Sequence, residues 1–167
     1  MAGAGCLSSL VVLTPGRVPC QYMEPDSCRT LFSAQPVARL GTLGLNGPHL
    51  VPIVFAVSGD RIVSVVDHKP KTTTALRRLA NIAADPTVTL LADHYDDDWT
   101  RLWWVRADGE ASILESGSGH TTAVDLLVAK YGQYRDRRPK GPVIEVSVTR
   151  WSGWRASPAI EDQAQRQ

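Results

Sequence analysis

Several protein classes are excluded by what this 167-residue chain does not contain. Its cysteines are Cys6, Cys20 and Cys28. They include no Cys-x-x-Cys pair, and no later cysteine completes a metal site. An odd number argues against a disulfide scaffold, so a reducing, cytoplasmic setting is expected. Charge of one sign is missing too. Lys and Arg total 18 against 17 Asp and Glu, a net charge of +1, which gives no global field to attract nucleic acid or a membrane. No apolar run approaches the roughly 20 residues needed to span a bilayer. No glycine-rich phosphate loop of the nucleotide-binding folds and no internal repeat is present. Leu7 to Leu13 is apolar, but no basic residue precedes it and Pro15-Gly16 follows at once. Residues 1–25 therefore read as an atypical or disordered N-terminal extension, not a secretory signal. Residues 158–167 read as a C-terminal tail, and 26–157 as one domain.

What the chain does contain is a series of short strands. Cys28 to Ala34 predicts one or two helical turns, ended by Pro36. Val37 to Leu45 reads as a strand in which Gly41 and Gly44 mark bends or close approaches. Asn46-Gly47 signals a hairpin. Leu50 to Val57 follows, with Pro52 belonging at a strand start, edge or bulge. Ser58 to Arg61 is a tight turn before Ile62 to Val66. Later strands are expected over Thr87 to Ala92, Arg101 to Ala107, Glu110 to Leu114 and Val143 to Thr149. Asp108-Gly109 is read as the turn between the middle pair. A helix beginning at Thr121 or Thr122 carries Val124, Leu127, Val128 and Tyr131 on one stripe. Hairpins on this scale imply antiparallel pairing. A small closed or partly closed barrel with attached helices would remove the exposed edges.

The stretch from Asp67 to Leu91, DHKPKTTTALRRLANIAADPTVTLL, is the most informative. Thr72, Thr73 or Thr74 can cap a short helix whose buried stripe is Leu76, Leu79, Ala80 and Ala83, and Asp85-Pro86 stops it. Lys69, Lys71, Arg77 and Arg78 surround that helix start. Backbone donors and mobile positive charge together suit an anionic small molecule, although a solvated basic face has the same composition.

The segments VARLGTLGLNGPHLVPIVFAV, IVSVVDHKPKTTTALRRLANIAADPTVTLLADHYDDDWTRLWWVRADGEASIL and VIEVSVTRWSGW resemble, in order and spacing, the FMN-binding split-barrel superfamily. That superfamily includes pyridoxamine-phosphate-oxidase-like proteins, and the resemblance is strongest to its branch using the deazaflavin F420. It covers roughly residues 31 to 155. It implies a mainly β fold with short helices, a split β-barrel, and a homodimer with the cofactor in the groove between subunits. By the same resemblance the cofactor's anionic end meets Lys69, Lys71, Arg77 and Arg78, with Thr72 and Thr73 adding donors. Pro52 and Ile53 would run beneath the ring.

The implied activity is hydride transfer between reduced coenzyme F420 and a small organic substrate. The rivals are an FMN-dependent oxidase or reductase and a non-enzymatic F420 carrier. The extra positive charge of the DHKPKTTTALRR run suits the phosphodiester and glutamate tail of F420. Such chemistry needs no protein nucleophile, because the cofactor supplies the reactive atom. Trp103 and Trp104 point to opposite faces of a strand, one to the core and one toward the groove. Arg101 and Arg106 flank them. His68, beside Lys69, can donate to a cofactor oxygen, and His68 and Tyr95 are the candidate proton donors. His49, His94 and His120 do not have ligand spacing. The run Asp93, Asp96, Asp97, Asp98 lacks the alternation and distal glutamate of a calcium loop, so no metal is expected. The basic loop YRDRRPKGP is short and contains Asp136, which argues against a nucleic-acid surface.

Overall fold

The computed structural model describes residues 20–66 and 76–156. In chain order these form β1 (Cys20–Tyr22), α1 (Pro25–Ser33), β2 (Ala38–Gly44), β3 (Gly47–Ile53), β4 (Ala56–Ser58), β5 (Arg61–Val65) and α2 (Arg77–Ala84). There follow β6 (Thr87–His94), a 3-10 turn (Trp99–Arg101), β7 (Trp103–Leu114), α3 (Ser118–Lys130), α4 (Gly132–Asp136) and β8 (Val143–Ala156). The hairpin signal at Asn46-Gly47 joins β2 to β3, with Gly47 at a positive φ of 105° that a β-carbon would strain. Pro52 sits on β3, an edge strand, where its missing N–H breaks no internal ladder.

All eight strands belong to one sheet, in the order β3-β2-β6-β7-β8-β5-β4, with β1 paired to the far end of β8. The pairings are antiparallel. This overturns the expectation of a split β-barrel: the sheet is mainly β with short helices, as expected, but it is not closed. Its end strands β3 and β4 are consecutive in sequence, yet Val54 and Phe55 carry the chain between them and no ladder joins them. The physical reason lies at Phe55, whose backbone is already satisfied by a side chain. Tyr131 Oη accepts from the Phe55 N–H at 3.0 Å and lies 2.8 Å from its carbonyl and 2.9 Å from that of Pro36. With these groups taken, the break between the two strands costs no hydrogen bond.

The expected strands 101–107 and 110–114 are a single strand. β7 runs through Asp108-Gly109 without turning, and its register against β8 shifts there. A β-carbon on Gly109 would run into the Ser147 carbonyl, so the glycine serves close approach at a bulge. The last strand also extends to Ala156, because β1 and β7 both pair with its distal half.

The helices divide between the two faces: α1 and α2 pack on the face that carries Leu40, Ile62 and Ile144, whereas α3 and α4 cover the opposite face at β5, where Val63 and Val65 turn. Phe32 and Cys28 of α1 pack with Leu40, Phe55, Leu90, Val105 and Trp151. Close approach of α1 to β8 requires Gly153, where a β-carbon would lie 2.6 Å from Met23 Cε and 2.8 Å from Cys28 Sγ. A second cluster joins Val63, Val65 and Val143 to Val124, Leu127, Tyr131 and Tyr134 of α3 and α4. Lys130, between the clusters, donates to the Ser33 and Gln35 carbonyls at the end of α1 and lies 4.0 Å from the Phe55 ring centroid. No helix among the described residues is long and apolar enough to cross a membrane.

Candidate functional site

Strand alternation divides β2 into two sets. Ala38, Leu40 and Thr42 are buried against the core, which turns Arg39, Gly41 and Leu43 outward. The same parity turns Pro48, Leu50 and Pro52 outward on β3, Thr87, Thr89 and Leu91 on β6, and Arg106 on β7. Register brings these residues into rows. Pro52, Arg39, Leu91 and Arg106 lie across four adjacent strands, and Leu50, Gly41, Thr89 and Asp108 across the next row. All of these except Pro52 and Asp108 line an open groove of about 380 Å³, on a part of the outer face that no described helix covers. Gly41, Thr89 and Leu91 belong to the central strands of the groove. Leu43 (47 % exposed) and Leu50 (65 %) flank it.

Charge is organised around this groove. Arg39 pairs with Asp93 at 2.9 Å. Asp108 accepts from Arg106 at 3.2 Å, from Arg150 at 2.7 Å and from the Thr89 hydroxyl at 3.0 Å. Burial alone would raise the Asp108 pKa. The hydrogen bonds from Arg150 and Thr89 and the charges of Arg106 and Arg150 outweigh it and hold the carboxyl below its ordinary range. One carboxylate orienting two guanidinium groups leaves net positive charge beside an apolar surface. One row further out, Trp104 stands opposite Asp93 and Trp154, and Trp154 opposite Tyr22. This part of the outer face therefore combines leucines, prolines, arginines and aromatics, with the aromatics and arginines that mark protein interfaces.

The sequence candidates fall in several places. Arg106 lines the groove, and Pro52 lies in its outward row. Ile53 is core, only 6 % exposed. Trp103 shares the inward parity of Val105 and packs against the core, leaving Trp104 outward. His68, Lys69, Lys71, Thr72 and Thr73 lie outside the described residues. Arg77 begins α2 and is exposed, and Arg78 is half-buried beside it. Arg77 lines a separate pocket of about 210 Å³ with Asn81, His49 and the β2–β3 hairpin. Tyr95 is 83 % exposed and does not line the groove. The acidic run is consumed locally. Asp96 pairs with His94 and Arg101 and accepts from the Asp98 N–H, while Asp98 caps the 3-10 turn through Thr100. Arg39, Gly41, Thr89 and Leu91 were not singled out as groove residues. The period-2 phase of β2 and β6 was the signal that could have found them.

The protein-family model described as pyridoxamine 5'-phosphate oxidase matches residues 25–155. The sequence has no match among the curated proteins. The fold is shared with solved structures at low identity. A FAD-binding protein from Mesorhizobium loti is 19 % identical with a TM-score of 0.66, over 83 % of this chain and 98 % of that one. A conserved hypothetical protein from Mycobacterium tuberculosis is 20 % identical with a TM-score of 0.64, over 80 % and 85 %. A putative 5-nitroimidazole antibiotic resistance protein from Bacteroides thetaiotaomicron is 13 % identical with a TM-score of 0.64, over 81 % and 87 %.

Proposed function

The chain belongs to the pyridoxamine 5'-phosphate oxidase family, and from that premise we propose that it is a flavin-dependent oxidoreductase, its cofactor ring seated in the outer-face groove between two copies of the chain. The observation that carries this reading is the groove itself. It is a flat apolar trough whose Gly41 leaves room that any β-carbon would begin to fill, with two arginines at one side. Those residues fit a planar, partly anionic heterocycle. When bound, such a ring supplies the atom that takes or gives the hydride.

The chain's own residues do the rest. Leu43, Leu50 and Leu91 would meet one face of the ring and exclude water from it. Arg39 and Arg106 present planar, permanently charged donors to its polar edge. Asp108 holds Arg106 in place. The second copy covers the exposed leucines and completes the groove. The site segment after β5, with His68, Lys69, Lys71, Thr72 and Thr73, and the start of α2, with Arg77 and Arg78, receives the anionic end of the cofactor. Pro52 borders the ring, and Trp103 and Ile53 support the strands from behind. The substrate is a small organic molecule entering beside the ring.

FMN is the first choice of cofactor, in keeping with the family and with a FAD-binding structural relative. Coenzyme F420 is the second, favoured by the four basic residues Lys69, Lys71, Arg77 and Arg78, more charge than one terminal phosphate requires. Titration of the purified protein with FMN and with F420, followed by fluorescence or heat, tests both. Tight binding of one selects it, and Gly41→Trp is expected to abolish that binding while circular dichroism stays unchanged. Binding of neither overturns the oxidoreductase reading.

A further inference from the structure

The end of β5 is held by a clamp drawn from three distant parts of the chain. The last register pair of β5 with β8 is Val65 with Val143. One residue beyond it, the Val66 N–H donates to the Pro142 carbonyl at 2.9 Å. Gly141 packs so closely here that a β-carbon on it would run into the Val66 carbonyl and lie 3.1 Å from Val66 Cβ. Only glycine admits that approach. The Gly141 carbonyl in turn accepts a hydrogen bond from His120 Nε2 at 3.0 Å. A carbonyl oxygen only accepts, so this bond keeps a proton on Nε2.

His120 can hold the clamp because its own helix is fixed independently. Val124 and Leu127, further along α3, pack with Val63 and Val65 of β5. Residues 137–142, between α4 and β8, form neither helix nor strand, so side-chain ties set their place. One tie, from Arg138 to Asp125 at 2.7 Å, joins exposed side chains. The His120 bond is part-buried and lies against Val66.

We propose that His120 is a positioning residue for the anionic end of the cofactor. Through Gly141 it fixes the direction in which the chain leaves β5 at Val66, and with it the donors of residues 67–75. The inference rests on the functional reading that this segment receives the anionic end. His120 itself touches no cofactor atom. Donors held in place before binding lose less freedom when the ligand arrives. The latch therefore contributes to affinity for the phosphate and not for the ring, whose groove is lined by β2, β3, β6 and β7.

The test compares FMN with riboflavin, which has the same ring and no phosphate, and F420 with its phosphate-free deazaflavin–ribityl head. Each is titrated into the full-length protein and followed by fluorescence. His120→Leu should weaken FMN or F420 about tenfold, the effect of one misaligned charge-assisted contact, and leave the phosphate-free form within about twofold. Retained binding of that form also shows that the variant is folded. His120→Gln, whose amide N–H can take the place of Nε2–H, should restore the affinity. Hydrogen exchange at the Val66 amide should accelerate in the leucine variant and not in the glutamine one. Gly141→Ala, which leaves His120 intact and pushes Val66 away, should reproduce the split. Asp125→Asn, which weakens only the exposed tie, should change no affinity. Equal losses for a cofactor and its phosphate-free form, or unchanged cofactor affinity in His120→Leu, overturn the proposal and leave the functional reading standing. If the unsubstituted protein binds both forms equally, the assigned place of the anionic end falls and this inference falls with it. Binding of neither form overturns the oxidoreductase reading itself.

Discussion

The two faces of the central strands are built from the same stretches of chain and have opposite fates. On the inner face Leu40, Leu90, Val105 and Ala107 are fully buried beneath α1 and its neighbours. On the outer face Leu43 and Leu50 stand about half or more in solvent and line the groove together with Arg39 and Arg106. A sheet with one dry face and one polar face needs no further explanation. An outer face that keeps large apolar side chains beside ordered arginines does, and a ring and a second copy are what we propose to cover it. The difference teaches that stability resides on one side of these strands and recognition on the other, so the two respond to different substitutions.

The largest contrast is expected from paired substitutions on neighbouring positions. Leu40→Ala opens a cavity in the core and should cost about 2–5 kcal/mol in urea unfolding. Leu50→Ser, on the other side of the sheet, should change that stability by no more than about 0.5 kcal/mol. It should nevertheless shift sedimentation toward monomer. Equal costs at the two positions would erase the distinction between the two faces.

Tyr131→Phe comes next. It removes the hydroxyl that satisfies Phe55 at the open junction of β3 and β4, leaving an enclosed N–H without a partner, at a cost of about 1–3 kcal/mol. Hydrogen exchange at Phe55 should accelerate selectively, and unchanged exchange would show that something else holds the junction. Asp108→Asn is the outer-face counterpart. The Asp108 pKa is depressed from its ordinary 3.8, so its contribution is complete above that value and is lost as pH falls through the lower folded-state pKa. The variant should show a shallower loss of stability below about pH 4 and weaker cofactor binding at neutral pH, because Arg106 and Arg150 lose their common partner.

The smallest effect is assigned to Lys130. Burial lowers its pKa from 10.5 to about 8, although two carbonyls and the Phe55 ring favour the charged form. Between those values the unfolded chain binds the extra proton, so the Lys130 contribution to stability rises with pH from about 8 to 10.5. Lys130→Met should flatten that rise in thermal melts recorded across the window.

Local chemistry was readable from the chain. The Asn46-Gly47 hairpin, the stop at Asp85-Pro86 and the edge position of Pro52 each follow from one or two residues acting on their own backbone. The Asp108-Gly109 pair misled for an instructive reason. It is a hairpin signal when the flanking segments have only each other to pair with, but β6 and β8 hold β7 on both sides there, and the glycine is needed to admit the Ser147 carbonyl. Arg77 was noticed for its charge alone. That it lines a pocket with His49 and Asn81 depends on α2 packing over a hairpin some 30 positions earlier in the chain.

Alternation along each strand, turn chemistry and helix stops were determined by the sequence, because they arise from contacts within a few residues and from the two-residue period of extended backbone. Which strands became neighbours was decided only in the tertiary structure. The pairing of β2 with β6, the twin arginines gathered by Asp108 and the open junction at Phe55 all join distant segments. Their partners are selected by the packing of the whole core, a sum over many weak contacts that no local pattern encodes.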